Sequence, residues 1–196
     1  MPIVADFLDY DSAEIYNQKN TDSCTCFAFF TLLSEWCQQD RGMNLEFDIK
    51  KYFKRMNIER PSGKFRLNWL SKTARTEGFK AKTGEIVKIT GYSTVIAFKS
   101  FRRLCETIQR HGPLIFSVNQ YEGHRLNPAT DVIAPVKKGA TKKKQGHVMI
   151  IRGFDYPGRM IKFQNSWGNN SVKWIELPTY LQIVKGAWFF KGITIK

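Results

Sequence analysis

The sequence has 196 residues, of which 42% are hydrophobic and 14% aromatic. A chain of this length and composition can bury a substantial core, which fits one domain or two small lobes that share an interface. No apolar run reaches the ~18 residues that a membrane span needs, and the N-terminal residues lack the basic start and apolar middle of a signal peptide. We therefore expect no membrane partner and a cytoplasmic location, in the chain's own cell or in a target cell after delivery.

The chain is strongly basic, with 31 Lys and Arg against 17 Asp and Glu and a net charge of +14. Such a charge favours anionic partners. No zinc-finger, RNA-recognition or repeat signature accompanies it, which argues against nucleic acid as the main partner.

Four cysteines, Cys24, Cys26, Cys37 and Cys105, are few for a disulfide scaffold of this length. We expect reduced thiols. Cys24 and Cys26 are separated by one residue, whereas zinc sites usually have two to four between close cysteines, and no second close pair exists. We predict neither a metal site nor a cofactor.

A long apolar helix is predicted from Thr25 to Cys37. Its apolar residues lie almost all round the helix, as is typical of a buried central helix. Three residues before it, Thr21, Asp22 and Ser23, are N-cap candidates, and Gly42 offers a C-terminal stop. Two more helices are predicted in the first half, at 47–56 and 67–78.

The second half has a different pattern, with one helix at 99–111 and short apolar strands at 86–89, 114–118, 148–151, 160–164, 172–177 and 188–195. A polar loop is predicted at 124–145, and it contains five lysines, Lys137, Lys138, Lys142, Lys143 and Lys144. Helices followed by strands predict an α+β fold, with a mainly helical lobe at about 15–85, an antiparallel lobe at about 86–196 and a cleft between them.

Cys24 stands at the first turn of the long helix, where unpaired backbone N–H groups and the helix dipole favour an anion. A thiol there should lose its proton more easily than usual.

A cysteine nucleophile also needs a base. Of three histidines, His147 is the best candidate because it directly precedes a predicted strand that would fix the imidazole. Asn165 follows eighteen residues later, within Gln-Asn-Ser-Trp-Gly at 164–168.

These segments resemble the papain-like cysteine peptidases, in which four motifs recur in the same order. The motifs are a Gln, then Ser-Cys at the head of a long helix, then Gly, Asn or Asp before a His and a strand, and finally Asn-Ser-Trp-Gly. Here they are Gln18, Ser23-Cys24, Gly146-His147 and 165–168. The resemblance spans most of the chain and implies that 1–196 is a single papain-like domain with its active site in the cleft.

Two cysteines compete for the role of nucleophile. The Trp-Ala-Phe that follows the family's cysteine would align with Phe27-Ala28-Phe29 after Cys26. Spacing favours Cys24, because the family's Gln precedes its nucleophile by six residues, and Gln18 lies six residues before Cys24 but eight before Cys26. We predict Cys24 as the nucleophile and Cys26 as a packed small hydrophobe.

The resemblance also implies the role of each residue. Cys24 attacks a substrate carbonyl as a thiolate paired with the His147 imidazolium, and His147 then protonates the leaving amine. Asn165 orients the imidazole, and Trp167 shields that hydrogen bond from water. The Gln18 amide and the backbone N–H of Cys24 form the oxyanion hole.

The resemblance implies a cysteine endopeptidase that acts on a protein substrate. Met1 precedes Gln18 by only seventeen residues, so we expect no inhibitory propeptide and restraint by substrate choice, delivery or a separate inhibitor. The charge would suit the toxin domain of a delivered bacterial effector neutralised by an acidic immunity protein. The five lysines would then favour acidic substrate or inhibitor surfaces, although they would also be compatible with a solvated face.

Two other functions remain open at this point. An acyl or peptidyl transferase would use the same thioacyl-enzyme and resolve it with an amine in place of water. A catalytically silent papain-like binding module would keep the fold without the chemistry. Thr25 replaces the aromatic residue that usually follows the nucleophile, and the family's Gly-Gly substrate wall is absent, so the substrate pockets do not carry over.

Overall fold

The structure is a computed structural model that describes residues 4–6, 23–59, 66–95, 100–126, 129–166 and 172–196. Within these ranges it has five helices and nine strands. The helices are α1 (Cys24–Arg41), α2 (Ile49–Glu59), α3 (Arg66–Thr76), α4 (Phe101–His111) and α5 (Leu177–Ile183). The strands are β1 (Val4–Asp6), β2 (Phe79–Lys80), β3 (Ile86–Val95), β4 (Leu114–Tyr121), β5 (Val132–Ile133), β6 (Lys142–Asp155), β7 (Met160–Gln164), β8 (Val172–Glu176) and β9 (Val184–Ile195).

The described strands form one sheet in the order β2-β3-β9-β4-β6-β7-β8-β5, and β1 pairs with the C-terminal end of β6. Neighbouring strands are antiparallel except for β5 and β8, which run parallel. Three helices precede most of the sheet in the chain. The predicted α+β class, with a helical N-terminal part and an antiparallel sheet, is confirmed.

Helix α1 is buried on nearly every side, as its apolar sequence predicts. It contacts α2, α3 and the strands β4, β6 and β9. The ring of Phe30 stacks on Tyr52 at 5.1 Å between centroids and meets Phe79 edge-on at 4.9 Å. Gly42 ends the helix in the left-handed conformation with φ 64°, and its amide reaches the carbonyls of Cys37 and Gln38. The long helix therefore holds a fixed place against the middle of the sheet.

Two hydrophobic clusters fill the described part of the molecule. The first joins α1, α2 and α3 to β2, β3 and one end of β9. The second joins α4 and α5 to the strands from β4 to β8 and to the other part of β9. From His147 onward β6 has both faces buried, because Ile150 belongs to the first cluster and Met149 and Ile151 belong to the second. The lobe boundary near residue 85 and the cleft between the lobes stay predictions.

Most predicted elements have counterparts that start or end within a few residues of the prediction, apart from the strands 86–89 and 148–151, which extend much further. Ser23 is the N-cap of α1, although its side chain makes no capping hydrogen bond, while Thr21 and Asp22 lie outside the described residues. Helix α5, which follows β8 directly, is not among the predicted elements. Leu177-Pro178 opens this helix, and proline in the first turn is a start signal that could have identified it.

The polar loop predicted at 124–145 is wrong in part. β5 lies within it, and β6 already begins at Lys142, so Lys142, Lys143 and Lys144 are strand residues that extend the pairing with β4. Residues 141–146 are exposed on both faces of the strand. An apolar and polar alternation is therefore absent, and the pattern that predicts strands could not reveal this one.

We predict that Gly78→Ala destabilises the chain more than Gly42→Ala. Both glycines close helices with positive φ, 85° at Gly78 and 64° at Gly42, so each alanine carries a backbone cost of about 1–2 kcal/mol. A Cβ at Gly78 would also lie 2.7 Å from Ile86 Cγ2 and 2.9 Å from the Val87 carbonyl oxygen, whereas nothing lies within 4 Å at Gly42. Overpacking of this kind adds roughly 1–3 kcal/mol. Urea unfolding of the two variants measures the difference, and equal losses would contradict the close approach at Gly78.

Candidate active site

His147 and Asn165 are hydrogen-bonded and buried. His147 lies on β6, Asn165 directly follows β7, and the two strands pair in register at Ile150 and Gln164. The imidazole Nε2 lies 2.7 Å from Asn165 Oδ1. Both side chains are nearly inaccessible to solvent, with 4% exposure at His147 and 1% at Asn165.

The hydrogen bonds around Asn165 define the tautomer of His147. The backbone N–H of Ser166 donates to Asn165 Oδ1 at 2.9 Å, and a backbone amide can only donate, so this atom is the carbonyl oxygen of the side chain. An acceptor at Oδ1 requires a proton on the His147 Nε2. In the neutral imidazole the basic lone pair is therefore on Nδ1.

Cys24 lies at the start of α1 beside the strand that carries His147. A hydrogen bond from the backbone of Val148, the residue after His147, reaches its thiol. Helix α1 and the strands β6 and β7 also enclose a small cavity next to Asn165. Its lining residues are Ala28, Thr31, Val148, Met149, Ile150, Gln164, Asn165 and Ser166. The three elements that carry Cys24, His147 and Asn165 thus converge on one place.

The two competing cysteines differ in their surroundings. Cys24 is partly exposed, whereas Cys26 has no exposed surface and its Sγ lies 3.7 Å from Met56 Sδ. Burial raises the pKa of the Cys26 thiol to about 12. A buried thiol with so high a pKa is a poor nucleophile.

Burial has the largest effect on both groups of the candidate pair. It raises the pKa of the Cys24 thiol, against the opposing effect of hydrogen bonds from Val148 and Thr25. It lowers the pKa of His147, against the opposing effect of the hydrogen bond to Asn165. The lowered thiol pKa that we expect from the helix N-terminus is therefore wrong for this structure, because desolvation of the thiolate outweighs the nearby amides.

The other two histidines have different environments. His111 stacks on Phe189 with 4.4 Å between ring centroids, and His124 Nε2 lies 2.9 Å from the carbonyl oxygen of Ala134. Gln18 and Trp167, predicted for the oxyanion hole and for shielding, lie outside the described residues. Among the described residues, no group of three or more His, Cys, Asp and Glu could hold a metal ion. No described helix is both long and apolar enough to cross a bilayer.

Five exposed lysines precede His147 in the chain: Lys137, Lys138, Lys142, Lys143 and Lys144. We call them the basic ridge. None of them forms an ion pair within the described ranges. Lys185 on β9 adds a further amine, because its Nζ lies 3.0 Å from the position that a Cβ would take at Gly146.

A buried ion pair that the sequence patterns do not predict lies on the same two elements as Cys24 and His147. Arg152 on β6 donates to Glu35 on α1 and to the side-chain oxygen of Gln164, the residue before Asn165. All three side chains are buried. Glu35 is the one charged residue between Thr25 and Cys37 of an apolar helix. Because a buried charge requires a partner, this residue could have indicated a buried ion pair.

We predict that His147 makes stability pH-dependent when Cys24 cannot share its proton. In a Cys24→Ala background burial lowers the pKa of the His147 imidazole, so the unfolded chain binds a proton below pH ~6.5 while the folded chain does not. The contribution of His147 to the free energy of unfolding is fully present above that pH. Below it, the free energy of unfolding falls by up to about 1.4 kcal/mol per pH unit, until the pH reaches the pKa of His147 in the folded chain. Cys24→Ala/His147→Gln should lack this component. Urea unfolding between pH 7.5 and 5 measures the difference, and parallel profiles for the two variants would contradict it.

Comparisons with known proteins identify the family and the fold of this chain. The sequence profile of the Peptidase_C39 like family matches residues 11–189. Among solved structures, xylellain, a cysteine protease from Xylella fastidiosa, superposes with a TM-score of 0.79 at 17% identity, covering 98% of this chain and 87% of xylellain. A search of curated proteins found no significant match.

Two further structures show the same fold. One comes from work on the mite allergens Blo t 1 and Der p 1, with a TM-score of 0.76 and 17% identity over 97% of this chain and 71% of the other. The second is the Carica candamarcensis cysteine protease CMS1MS2 in complex with E-64, with a TM-score of 0.74 and 16% identity over 98% and 99% of the two chains. The chain has a papain-like fold and belongs to the Peptidase_C39 like family of cysteine proteases.

Proposed function

We propose that this chain is an endopeptidase that cleaves a protein substrate through Cys24, His147 and Asn165. The observation that carries the proposal is the tautomer of His147. Asn165 Oδ1 accepts a hydrogen bond from the protonated Nε2, and this leaves the basic lone pair on Nδ1. The imidazole precedes Val148, whose backbone reaches the Cys24 thiol. A thiol and a base held by a third group are the minimum for nucleophilic catalysis.

The first half of the reaction forms a thioester. The Cys24 Sγ attacks the scissile carbonyl carbon as its proton passes to His147 Nδ1, and the carbonyl electron pair moves to the oxygen. The tetrahedral intermediate then collapses. The bond between carbon and nitrogen breaks, and His147 returns the proton to the leaving amine. The backbone N–H of Cys24 and the Gln18 amide are our candidates to stabilise the oxyanion, a role in which one donor contributes about 3 kcal/mol.

The second half releases the enzyme. Water gives a proton to His147 Nδ1 and attacks the thioester carbon, and the bond between carbon and Sγ breaks as His147 returns the proton to sulfur. The pKa directions support a role for His147 as a general base, because burial favours the neutral imidazole and the neutral thiol before the substrate arrives. Asn165 keeps Nε2 protonated throughout, so Nδ1 accepts and returns the proton in both halves of the reaction.

We predict that Cys24→Ala abolishes cleavage while Cys26→Ala preserves it. Mapping of new protein N-termini in cells that express the wild type or either variant measures this and identifies substrates. Cys26→Ala is the matched control, because it removes a thiol two residues away that has no exposed surface.

Asn165→Ala should lower kcat by about tenfold or more with little change in KM, since it disturbs orientation of the base.

Three outcomes would contradict this proposal. New N-termini that persist in Cys24→Ala and vanish in Cys26→Ala would show that Cys26, and not Cys24, is the nucleophile. No wild-type N-termini, together with iodoacetamide labelling of Cys24 no faster than that of Cys37 or Cys105, would favour a silent binding module. Products that carry an added amine would instead identify a transferase.

The basic ridge supports an acidic protein as the partner. Its five amines are exposed and have no ion pair within the described ranges. Three of these lysines lie on β6, the strand that carries His147. Glu122, which directly follows β4, lies beside the start of β6, because its amide donates to the carbonyl oxygen of Thr141 at 2.9 Å. An acidic substrate segment, or an acidic inhibitor such as the immunity protein of a delivered effector, would meet a complementary surface there.

We predict that Lys142→Glu/Lys143→Glu/Lys144→Glu raises KM for acidic substrates without lowering kcat. The reversed charges repel the acidic segment before chemistry begins, and they also weaken the salt dependence of kcat/KM. The control reverses three exposed lysines on α2 and α3, Lys50, Lys54 and Lys72, and so makes the same change in net charge. Equal effects of the two triple variants would mean that only overall charge matters.

A further inference from the structure

A buried polar cluster connects the three elements of the candidate site. Arg152 Nε donates to Gln164 Oε1 at 2.6 Å, a second guanidinium nitrogen donates to the same oxygen, and the third donates to Glu35 Oε2. The Arg152 and Glu35 side chains are 2% and 0% exposed. Glu35 lies on α1 with Cys24, Arg152 lies on β6 with His147, and Gln164 directly precedes Asn165.

The sheet places all three groups on the same side of β6. Val148 and Ile150 pack in the cluster that surrounds α1, and alternation along the strand puts Arg152 on that face as well. Ile150 is the cross-strand partner of Gln164. The register between β6 and β7 shifts between Ile151 and Gly153, so Arg152 occupies a β-bulge next to the site.

Stability is a poor explanation for this cluster. Removing two charges from water costs several kcal/mol, and buried ion pairs can often be replaced by apolar side chains without loss of stability. Burial indeed raises the pKa of Glu35 in spite of Arg152 beside it. Glu35 Oε1 also has no hydrogen-bond partner among the described residues. The cluster therefore carries a desolvation free energy that apolar side chains at the same positions would avoid.

We propose that Arg152, anchored by Glu35, is a positioning residue that acts on the base through Gln164 and Asn165. The guanidinium fixes the Gln164 side chain from two nitrogens and thereby fixes the backbone from which Asn165 projects. Asn165 Oδ1 in turn holds the Nε2 of His147. The cluster also ties that strand end to α1, eleven residues or about three turns after Cys24. This inference rests on the proposed function of the site.

The test is a double-mutant cycle on kcat. Gln164→Met keeps the side-chain length and leaves Arg152 paired with Glu35, but it removes the oxygen that accepts from the guanidinium. We expect Gln164→Met to lower kcat about tenfold with an unchanged KM, and to have no further effect in an Asn165→Ala background. Gly78→Ala is the stability control, because it lies in the turn after α3 and should lower the unfolding free energy without lowering kcat.

A second variant keeps the test decisive if Gln164→Met folds poorly. Glu35→Met/Arg152→Met removes both buried charges together, so neither is left unpaired. It should fold and show the same loss of kcat. Normal kcat in either folded variant, or effects of Gln164→Met and Asn165→Ala that simply multiply, would overturn the positioning role. If Asn165→Ala alone leaves kcat unchanged, the proposed role of Asn165 fails instead, so the two failures are distinguishable.

Discussion

The hydrogen bond from His147 Nε2 to Asn165 Oδ1 is the constraint on which the candidate site depends. It joins two residues that lie eighteen positions apart, and it exists because β6 and β7 pair with Ile150 opposite Gln164. A shift of one residue in this register would turn the side chains to the other face of the sheet. The apolar residues on both faces of β6 prevent such a shift, so the hydrophobic core fixes the tautomer of the base.

Burial has opposing effects in this site. It excludes water from the imidazole and the thiol, which strengthens every polar contact there, and it also disfavours their charged forms. Hydrogen bonds from Val148 and Thr25 and the charge of Arg66 oppose this effect at the sulfur, and the Asn165 amide opposes it at the imidazole. Glu35 and Arg152 form a buried ion pair between α1 and β6.

Much of this arrangement could be predicted from the sequence, and the exceptions have physical reasons. The long helix, the strand after His147 and the place of Asn165 follow from local patterns and from motifs whose spacing resembles a known family. The Glu35–Arg152 pair could not be predicted, because it joins residues 117 positions apart, and their contact depends on a sheet register that no local pattern encodes. The loop predicted at Lys142–Lys144 is wrong because both faces of that strand are solvated, so no apolar alternation marks it. The prediction of a lowered Cys24 pKa is wrong because the position of a residue at a helix N-terminus does not determine how deeply that turn is buried.

The most direct test of the central claim is to trap the acyl-enzyme. A turnover mixture with an identified substrate is quenched in acid within the first turnover and digested, and mass spectrometry locates any thioester. The account predicts the N-terminal part of the substrate on Cys24, in the wild type and in Cys26→Ala alike, and none in His147→Ala. A thioester on Cys26, or cleavage that proceeds with no acylated cysteine, would contradict it.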